Sequence, residues 1–549
     1  MTTAAPDVHR VRVRDATRPG GLDGTWALLR LAARRDRVRL LVWTASILIM
    51  WGYAAVALDS LFPTAADRQL RGQLMSSPAA VILTGSGFGL DDYTLGAMVA
   101  NEMGFMVLLA LALLAIQTAV RSTRAEEETG ATEILRASTV GRHAPAVAAY
   151  LLVVAVNVVI GVGTWGVLVA VGLAPGGAAA LGAAGAATGL FFGAVGIVTA
   201  QLTTHARSAS GLALAVLGLA WVVRAAGDLR AQGGSPLSWA SPLAWALQTR
   251  ACVDTRWWPL GLLVVGAVVL LVLGARLGGR RDLGAGLVTT RPGRAYARAS
   301  LAGSVALAVR LQRGSILAWA AGVGLGAVAT GTFTDSVSGM VSKLPQLGDL
   351  LGDVGALVDA FAALMVMFFV VLVAGFALSS FHRVRTEEQR GRLEVVLSAP
   401  VARTRWLGAQ LAVTLGASVV LLVLAGLGLW AGAVSVGDGS VSAGAYVVAA
   451  LGHVPAVALL VAVAVVVHGW WPRGSGLVWG WYGFSAVAAV YGGLLQLPGW
   501  LLDVVPFTHS PVLPGPGASW TGALVMAALA LGLGALGIVG FRRRDVPAL

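Results

Sequence analysis

Charge is scarce in this chain. Only 12% of its 549 residues are charged and 57% are hydrophobic, whereas an ordinary soluble domain is about 25% charged. That excludes a water-soluble fold, whose core could not take up so much apolar sequence. Lysine is nearly missing: Lys343 is the only one, so the net charge of +13 rests on arginine. One lysine, in a segment between apolar runs, leaves no Walker A loop, which needs a lysine at the phosphates. Cys252 is the sole cysteine, which excludes an intramolecular disulfide. The only asparagines, Asn101 and Asn157, do not begin an N-x-[ST] acceptor. No H-E-x-x-H or G-x-S-x-G occurs, and His143, His205, His382, His453, His468 and His509 lack metal-ligand spacing. Catalysis, a resident metal and a resident cofactor are therefore not expected. The arginines lie between apolar runs and form no soluble basic domain, so nucleic acid is not an expected partner. A polar, arginine-rich stretch too long for a signal n-region precedes the first apolar run, so no cleavable signal peptide is expected.

What remains is a succession of bilayer-length apolar segments. A spanning helix needs about 20 apolar residues. Twelve spans are expected, at about 38–58, 98–120, 144–172, 178–203, 211–227, 257–275, 315–332, 360–381, 406–433, 443–468, 475–494 and 518–541. The 72 glycines suit helices packed closely in a membrane. With the N-terminus inside, 32 of the 39 Lys and Arg residues fall on the inner side, 6 fall outside, and Arg224 lies within a span. That asymmetry obeys the positive-inside rule and predicts a multi-pass protein of the cytoplasmic membrane with both termini cytoplasmic. The expected fold is an all-α membrane protein.

Internal repetition organises the spans. After span two the chain reads Arg124-Ala-Glu-Glu-Glu-Thr-Gly-Ala-Thr-Glu133, then Val140-Gly-Arg142. After span eight it reads Arg385-Thr-Glu-Glu-Gln-Arg-Gly-Arg-Leu-Glu394, then Val401-Ala-Arg403. The common skeleton is R-x-E-E-x-x-G-x-x-E followed by V-x-R, at a constant offset of 261 positions. Leu28–Arg37 and Val305–Arg313 also match, each an amphipathic helix expected to lie in the inner interface ahead of its first span. Ser241-Pro-Leu and Ser510-Pro-Val form a third pair. Two pseudo-symmetric six-helix units are predicted, 1–290 and 291–549, with parallel repeats related by an axis along the membrane normal. Gly130 and Gly391 sit inside the repeated loop, where glycine signals a bend or a close backbone approach.

The loop and its place between the second and third of six spans resemble the coupling segment of ABC transporter permeases of the ABC-2 membrane type. The whole chain resembles the actinobacterial branch with two fused six-span units, described as polyketide-antibiotic or tetronasin-type exporters and as mycobacterial multidrug-efflux permeases. In that family a small residue and Pro precede the V-x-R; Pro400 keeps the pattern and Thr139 departs from it. The resemblance implies a permease working with two copies of a cytosolic ABC ATPase, which would bind ATP and Mg. It implies that Glu126, Glu127, Gly130, Glu133 and Arg142, with Glu387, Glu388, Gly391, Glu394 and Arg403, couple the permease to those ATPases. Of these, Glu126, Glu127 and Glu133, with Glu387, Glu388 and Glu394, are expected to face basic or polar grooves on the partner.

Intramembrane polar residues are costly and often functional. Asn101 and Glu102, near the outer end of span two, are candidates for a substrate path; the alternative is snorkelling to the interface. Arg224 and Asp228 are spaced to pair with each other. Met365, Phe368 and Phe369 in span eight and Trp479, Trp481 and Tyr482 in span eleven are candidate cavity residues, with core packing as the alternative. Two G-x-G-x-x-G matches, Gly161-Gly163-Gly166 and Gly532-Gly534-Gly537, lie inside spans and read as packing faces. The expected function is the transmembrane permease of an ATP-driven exporter of amphiphilic or apolar compounds. An ion-driven secondary transporter or a non-transporting membrane scaffold are the rivals.

Overall fold

A computed structural model describes residues 21–76, 78–130, 133, 140–282, 284–288, 296, 301, 303–334, 354–491, 498–511, 513 and 519–544. Thr139 and Lys343 lie outside the described residues. The chain divides into two compact units, Met1–Pro292 and Gly293–Leu549. Among the described residues the regular structure is helical, and eleven helices are long and apolar enough to cross a membrane.

Six of these belong to the first unit. They are α1 (Thr25–Leu61), α4 (Leu95–Arg121, continued by the short α5, Arg124–Glu128), α6 (Ala144–Ala170), α7 (Pro175–Leu202), α8 (Ala206–Asp228) and α10 (Trp258–Gly279). Short helices α2 (Ala65–Met75) and α3 (Pro78–Thr84) fill the loop between the first two, and α9 (Pro242–Leu247) precedes the last. Prolines stand in the first turns of α6, α7, α9 and α10, where no amide donor is lost. Thr94 caps α4 by accepting the Ala97 amide at 3.2 Å.

α7 is the centre of this unit. Its sequence is largely Gly and Ala, and most of it is buried. Small side chains let α4, α6 and α10 close around it. A Cβ added at Gly182 would lie 2.3 Å from the Gly161 carbonyl oxygen, and one at Gly161 would lie 2.8 Å from that of Gly182. The first glycine motif therefore packs backbone on backbone through Gly161. Gly166 meets nothing within 4 Å. Gly182→Val is expected to cost about 1–3 kcal/mol, since backbone cannot yield as a side chain does. A lowered midpoint of thermal unfolding in detergent would register it.

The second unit contains α11 (Ser304–Gly331), α12 (Val354–Gln389), α13 (Arg392–Leu397), α14 (Arg403–Ser435), α15 (Ala443–Leu451), α16 (Val454–Trp470), α17 (Ser475–Tyr491), α18 (Gly499–Leu502) and α19 (Thr521–Arg543). α11 packs on α14 and α16 on α19, both through glycines. A Cβ at Gly432 would lie 2.1 Å from the Val328 carbonyl oxygen, and one at Gly469 would lie 2.4 Å from that of Gly537. Of the second glycine motif only Gly537 meets a neighbour; Gly532 and Gly534 have nothing within 4 Å. The core gathers Val366, Phe369, Phe376, Tyr446, Leu460 and Phe541.

Two details differ from the sequence reading. The span expected at 475–494 is described as the 17-residue α17, with 492–497 outside the described residues, so eleven spans are counted among the described residues. The amphipathic segments are not separate helices either. Leu28–Arg37 runs unbroken into the 37-residue α1, and Val305–Arg313 into the 28-residue α11. No proline interrupts either run, so the backbone ladder continues from the arginine-rich part into the span.

Candidate functional site

Among the described residues, the repeated loop turns at its glycine in both units. Gly130 and Gly391 are left-handed, with φ of 76° and 68°, a conformation that disfavours any residue with a Cβ. Each donates its amide three residues back, Gly130 to Glu127 at 3.1 Å and Gly391 to Glu388 at 3.0 Å. Nothing lies within 4 Å of a Cβ built on Gly130, so this glycine serves a bend and not a close approach. The bend turns the chain at the end of α5 and α12, and Glu133 and Glu394 follow it on the exposed side.

The second glutamate of each E-E pair turns inward. In the first unit Arg281 grips Glu127 with both terminal nitrogens, at 2.6 and 2.8 Å. Arg124 adds a bond at 2.7 Å. Arg124 is buried, and it also donates to the Gly284 and Ala285 carbonyls at 2.8 and 3.0 Å. Arg281 is oriented by Gln201, whose Oε1 accepts from its Nε at 2.7 Å. In the second unit Arg544 grips Glu388 at 2.5 and 2.6 Å, with His468 3.3 Å away. The two-nitrogen fork of Arg281 combines charge with fixed geometry, whereas a single terminal nitrogen of Arg544 spans both Glu388 oxygens.

Arg281 and Arg544 occupy equivalent places, just beyond the last helix of their units, α10 and α19. The V-x-R arginine serves the same helix end. Arg142 donates to the Gly278 and Gly279 carbonyls at 3.3 and 2.8 Å, and Arg403 to the Arg544 carbonyl at 2.8 Å. A cation at a helix C-terminus satisfies orphan carbonyls and complements the dipole. Each unit thus ties its loop to the end of its sixth helix at two points: a Glu–Arg clamp and an arginine cap.

The remaining loop acids differ between units. Glu126 pairs with Arg35 on α1, and Arg35 and Arg121 also reach the buried Asp36, at 3.2 and 2.9 Å. Glu128 accepts the Ala206 amide, the first of α8, at 3.1 Å. Glu387 pairs locally with Arg392 at 2.8 Å. The loop acids expected to face a partner are thus largely engaged within their own unit, because a half-buried carboxylate is stable only with a cation or donor at hand. Glu133 and Glu394 are the exposed ones.

Comparison with known proteins sets this geometry in a family. The chain is 38% identical to the multidrug efflux system permease protein Rv1217c of Mycobacterium tuberculosis over 555 residues, covering 99% of this chain and 98% of that one. The chain belongs to the multidrug efflux permease family. Residues 301–542 match the domain described as "Multidrug efflux system permease Rv1217c, C-terminal domain". This is the family that the loop motif resembled, and it makes the chain a transporter permease in a membrane.

In this permease the candidate substrate-path residues are held by their neighbours as follows. Glu102 is not open to a ligand: Arg71 on α2 binds both its oxygens at 3.0 Å. That contact also pushes the Arg71 pKa above its ordinary range. Asn101 holds the Phe88 backbone through two bonds, at 2.8 and 3.2 Å. Both residues anchor the loop between α1 and α4. Phe369 is buried in the second unit's core and Met365 packs against that core, while Phe368 is exposed. Trp481 donates to the Val504 carbonyl at 3.2 Å and Tyr482 to that of Val371 at 2.9 Å. Trp479 lines a cavity of only about 30 Å³. Phe369, Trp481 and Tyr482 thus join elements to one another, while Phe368 and Trp479 stay partly exposed.

Proposed function

We propose that the chain is the transmembrane subunit of an ATP-driven exporter of amphiphilic or apolar compounds. It would work with two copies of a cytosolic ABC ATPase that bind ATP and Mg, and it would hydrolyse no ATP itself. The observation that carries this reading is the twinned clamp. Two loops of one design, each fastened to the last helix of its unit, suit a pair of equivalent partners pushing on each half. Glu133 and Glu394, exposed beyond the bends, are the residues proposed to meet the ATPases. An ion-driven transporter needs an ionisable carboxylate free to exchange its proton or ion, and Glu102 is engaged by Arg71 on both oxygens. The name of the M. tuberculosis relative, a multidrug efflux system permease protein, suggests the substrate range proposed for this chain.

The test is purification with and without a co-expressed ABC ATPase. The chain alone is expected to show only background ATP hydrolysis, and the complex drug-stimulated turnover. Robust hydrolysis by the isolated chain would sink the proposal.

The arginine-rich helix ends are proposed to face the cytoplasm, following the positive-inside rule. Cysteine scanning can test this without removing Cys252. Burial pushes the Cys252 thiol up to about 11, and only the thiolate reacts. A maleimide is therefore expected to label Cys252 only slowly near neutrality. Cysteines at 133 and 394 should react from the cytoplasmic side. Labelling of either from outside reverses the orientation.

A further inference from the structure

The first unit contains a cavity of about 360 Å³ between α6, α7 and α10, beside the Glu127–Arg281 clamp. Its size lies in the range of small-molecule sites, about 300–1,000 Å³. One end is polar, formed by Thr123, Arg142, His143, Gln201 and Arg281 with the Glu127 carboxylate. The other is apolar, formed by Tyr150, Leu151, Ile197, Leu271 and Val272. Leu151 and Val272 are 38% and 46% exposed, so the apolar end opens sideways at the surface of helices long enough to span a bilayer. The polar end brings the basic side chains of Arg142, His143 and Arg281 to one place, and its carboxylate, Glu127, is bound by both Arg281 and Arg124.

The second unit shows what a closed version looks like. Pro145 stands three residues after Arg142, and Gly278 three before Arg281; both line the cavity. At the same steps from Arg403 and Arg544 stand Trp406 and Phe541. These rings stack at 6.1 Å, and Phe541 stacks on His468 at 5.6 Å, all three buried. Aromatic bulk fills in one unit the space that proline and glycine leave open in the other.

We propose that the first-unit cavity binds an anionic phospholipid, its head at Arg142, His143 and Arg281 and its chain along Tyr150, Leu151 and Val272. Basic pockets between membrane helices take anionic head groups in this way. The orientation proposed above makes the lipid one of the inner leaflet; the site itself does not depend on that orientation or on ATP. Because Arg281 belongs to both the clamp and the cavity, the lipid head would lie against the residue that fastens the loop.

The test uses the full chain in nanodiscs of phosphatidylcholine carrying a trace of phosphatidylglycerol with a photoreactive tail, followed by peptide mass spectrometry. Crosslinks are expected around 150–151 and 271–272. Pro145→Trp or Gly278→Phe, which copy the second unit's filling, should reduce them about tenfold, and Arg142→Gln by a similar factor through loss of a charge-assisted contact. A photoreactive phosphatidylcholine should label these positions weakly in every variant. Equal labelling by the two lipids overturns the anionic assignment. Undiminished labelling in a monodisperse Pro145→Trp or Gly278→Phe protein overturns the cavity, and if neither variant folds, undiminished labelling of Arg142→Gln overturns the site.

Discussion

Exchanging Arg544 for alanine is expected, on the proposed function, to abolish drug efflux while the protein still inserts and still binds the proposed ATPase. The substitution leaves the Glu388 carboxylate, which is 8% exposed, with His468 as its remaining neighbour. Removing one partner of a buried ion pair costs about 3–5 kcal/mol, because the other charge is left uncompensated. The loop then no longer follows the end of α19, although Arg403 still caps it through a backbone carbonyl. If the loop carries the ATPase stroke, ATP hydrolysis should continue and lose its stimulation by drug. Glu388→Arg combined with Arg544→Glu should restore part of the efflux, a recovery that a merely bulky defect would not show. Glu127→Gln is expected to act likewise in the first unit, though less severely, since Arg124 and Arg281 keep their contacts to the Ala285 carbonyl. Drug accumulation in cells at matched membrane levels gives the measure. Wild-type efflux by the Arg544→Ala protein would reduce the clamp to a structural detail.

Much of this arrangement could be read from residues alone, and the unread part has a physical cause. Spans are legible because a bilayer imposes length and apolarity on each helix. The paired loops are legible because acids are rare here, so R-x-E-E-x-x-G-x-x-E stands out twice. The bend at Gly130 and Gly391 follows from glycine itself. The clamp partners escaped notice because arginines just beyond a span already have an explanation as positive-inside charges. Arg281 and Arg544 were counted in that role, and sequence distance hides their reach to Glu127 and Glu388. Their equivalent places beyond the sixth helices were the available signal. The partner of Glu102 is hidden for the same reason: Arg71 lies on another helix, so the residues alone leave a substrate contact and snorkelling both open. The aromatics of α12 and α17 could not be assigned to a cavity or a core, because almost every face of a membrane helix is apolar.

The other large effect is expected at Arg224, through stability and not through coupling. This side chain is fully buried at the end of α8. Its guanidinium donates to the Val81 and Ile82 carbonyls at the end of α3, lies 3.4 Å from Asp228, and stacks 4.2 Å from the centre of the Phe105 ring. Asp228 in turn accepts from the Ser238 hydroxyl at 2.6 Å and from the Ser86 amide at 3.3 Å. One network therefore joins α3, α4, α8 and the turn before α9. Arg224→Met keeps much of the volume but leaves Asp228 without a cation and the Val81 carbonyl without this donor, a loss of about 3–5 kcal/mol. The ring contact adds to that loss, since a desolvated cation–π pair is worth about 2 kcal/mol. Arg224→Lys should fall between, because one ammonium cannot fork to two carbonyls and a carboxylate as a guanidinium does. Adding Asp228→Asn to Arg224→Met should recover part of the stability, for the buried charge then disappears with its partner. Thermal unfolding in detergent reads all three. A midpoint for Arg224→Met that stays within the range of ordinary surface changes, about 0.5 kcal/mol, would mean that water reaches this network. Asp228 would then be solvated and the arginine dispensable to the fold.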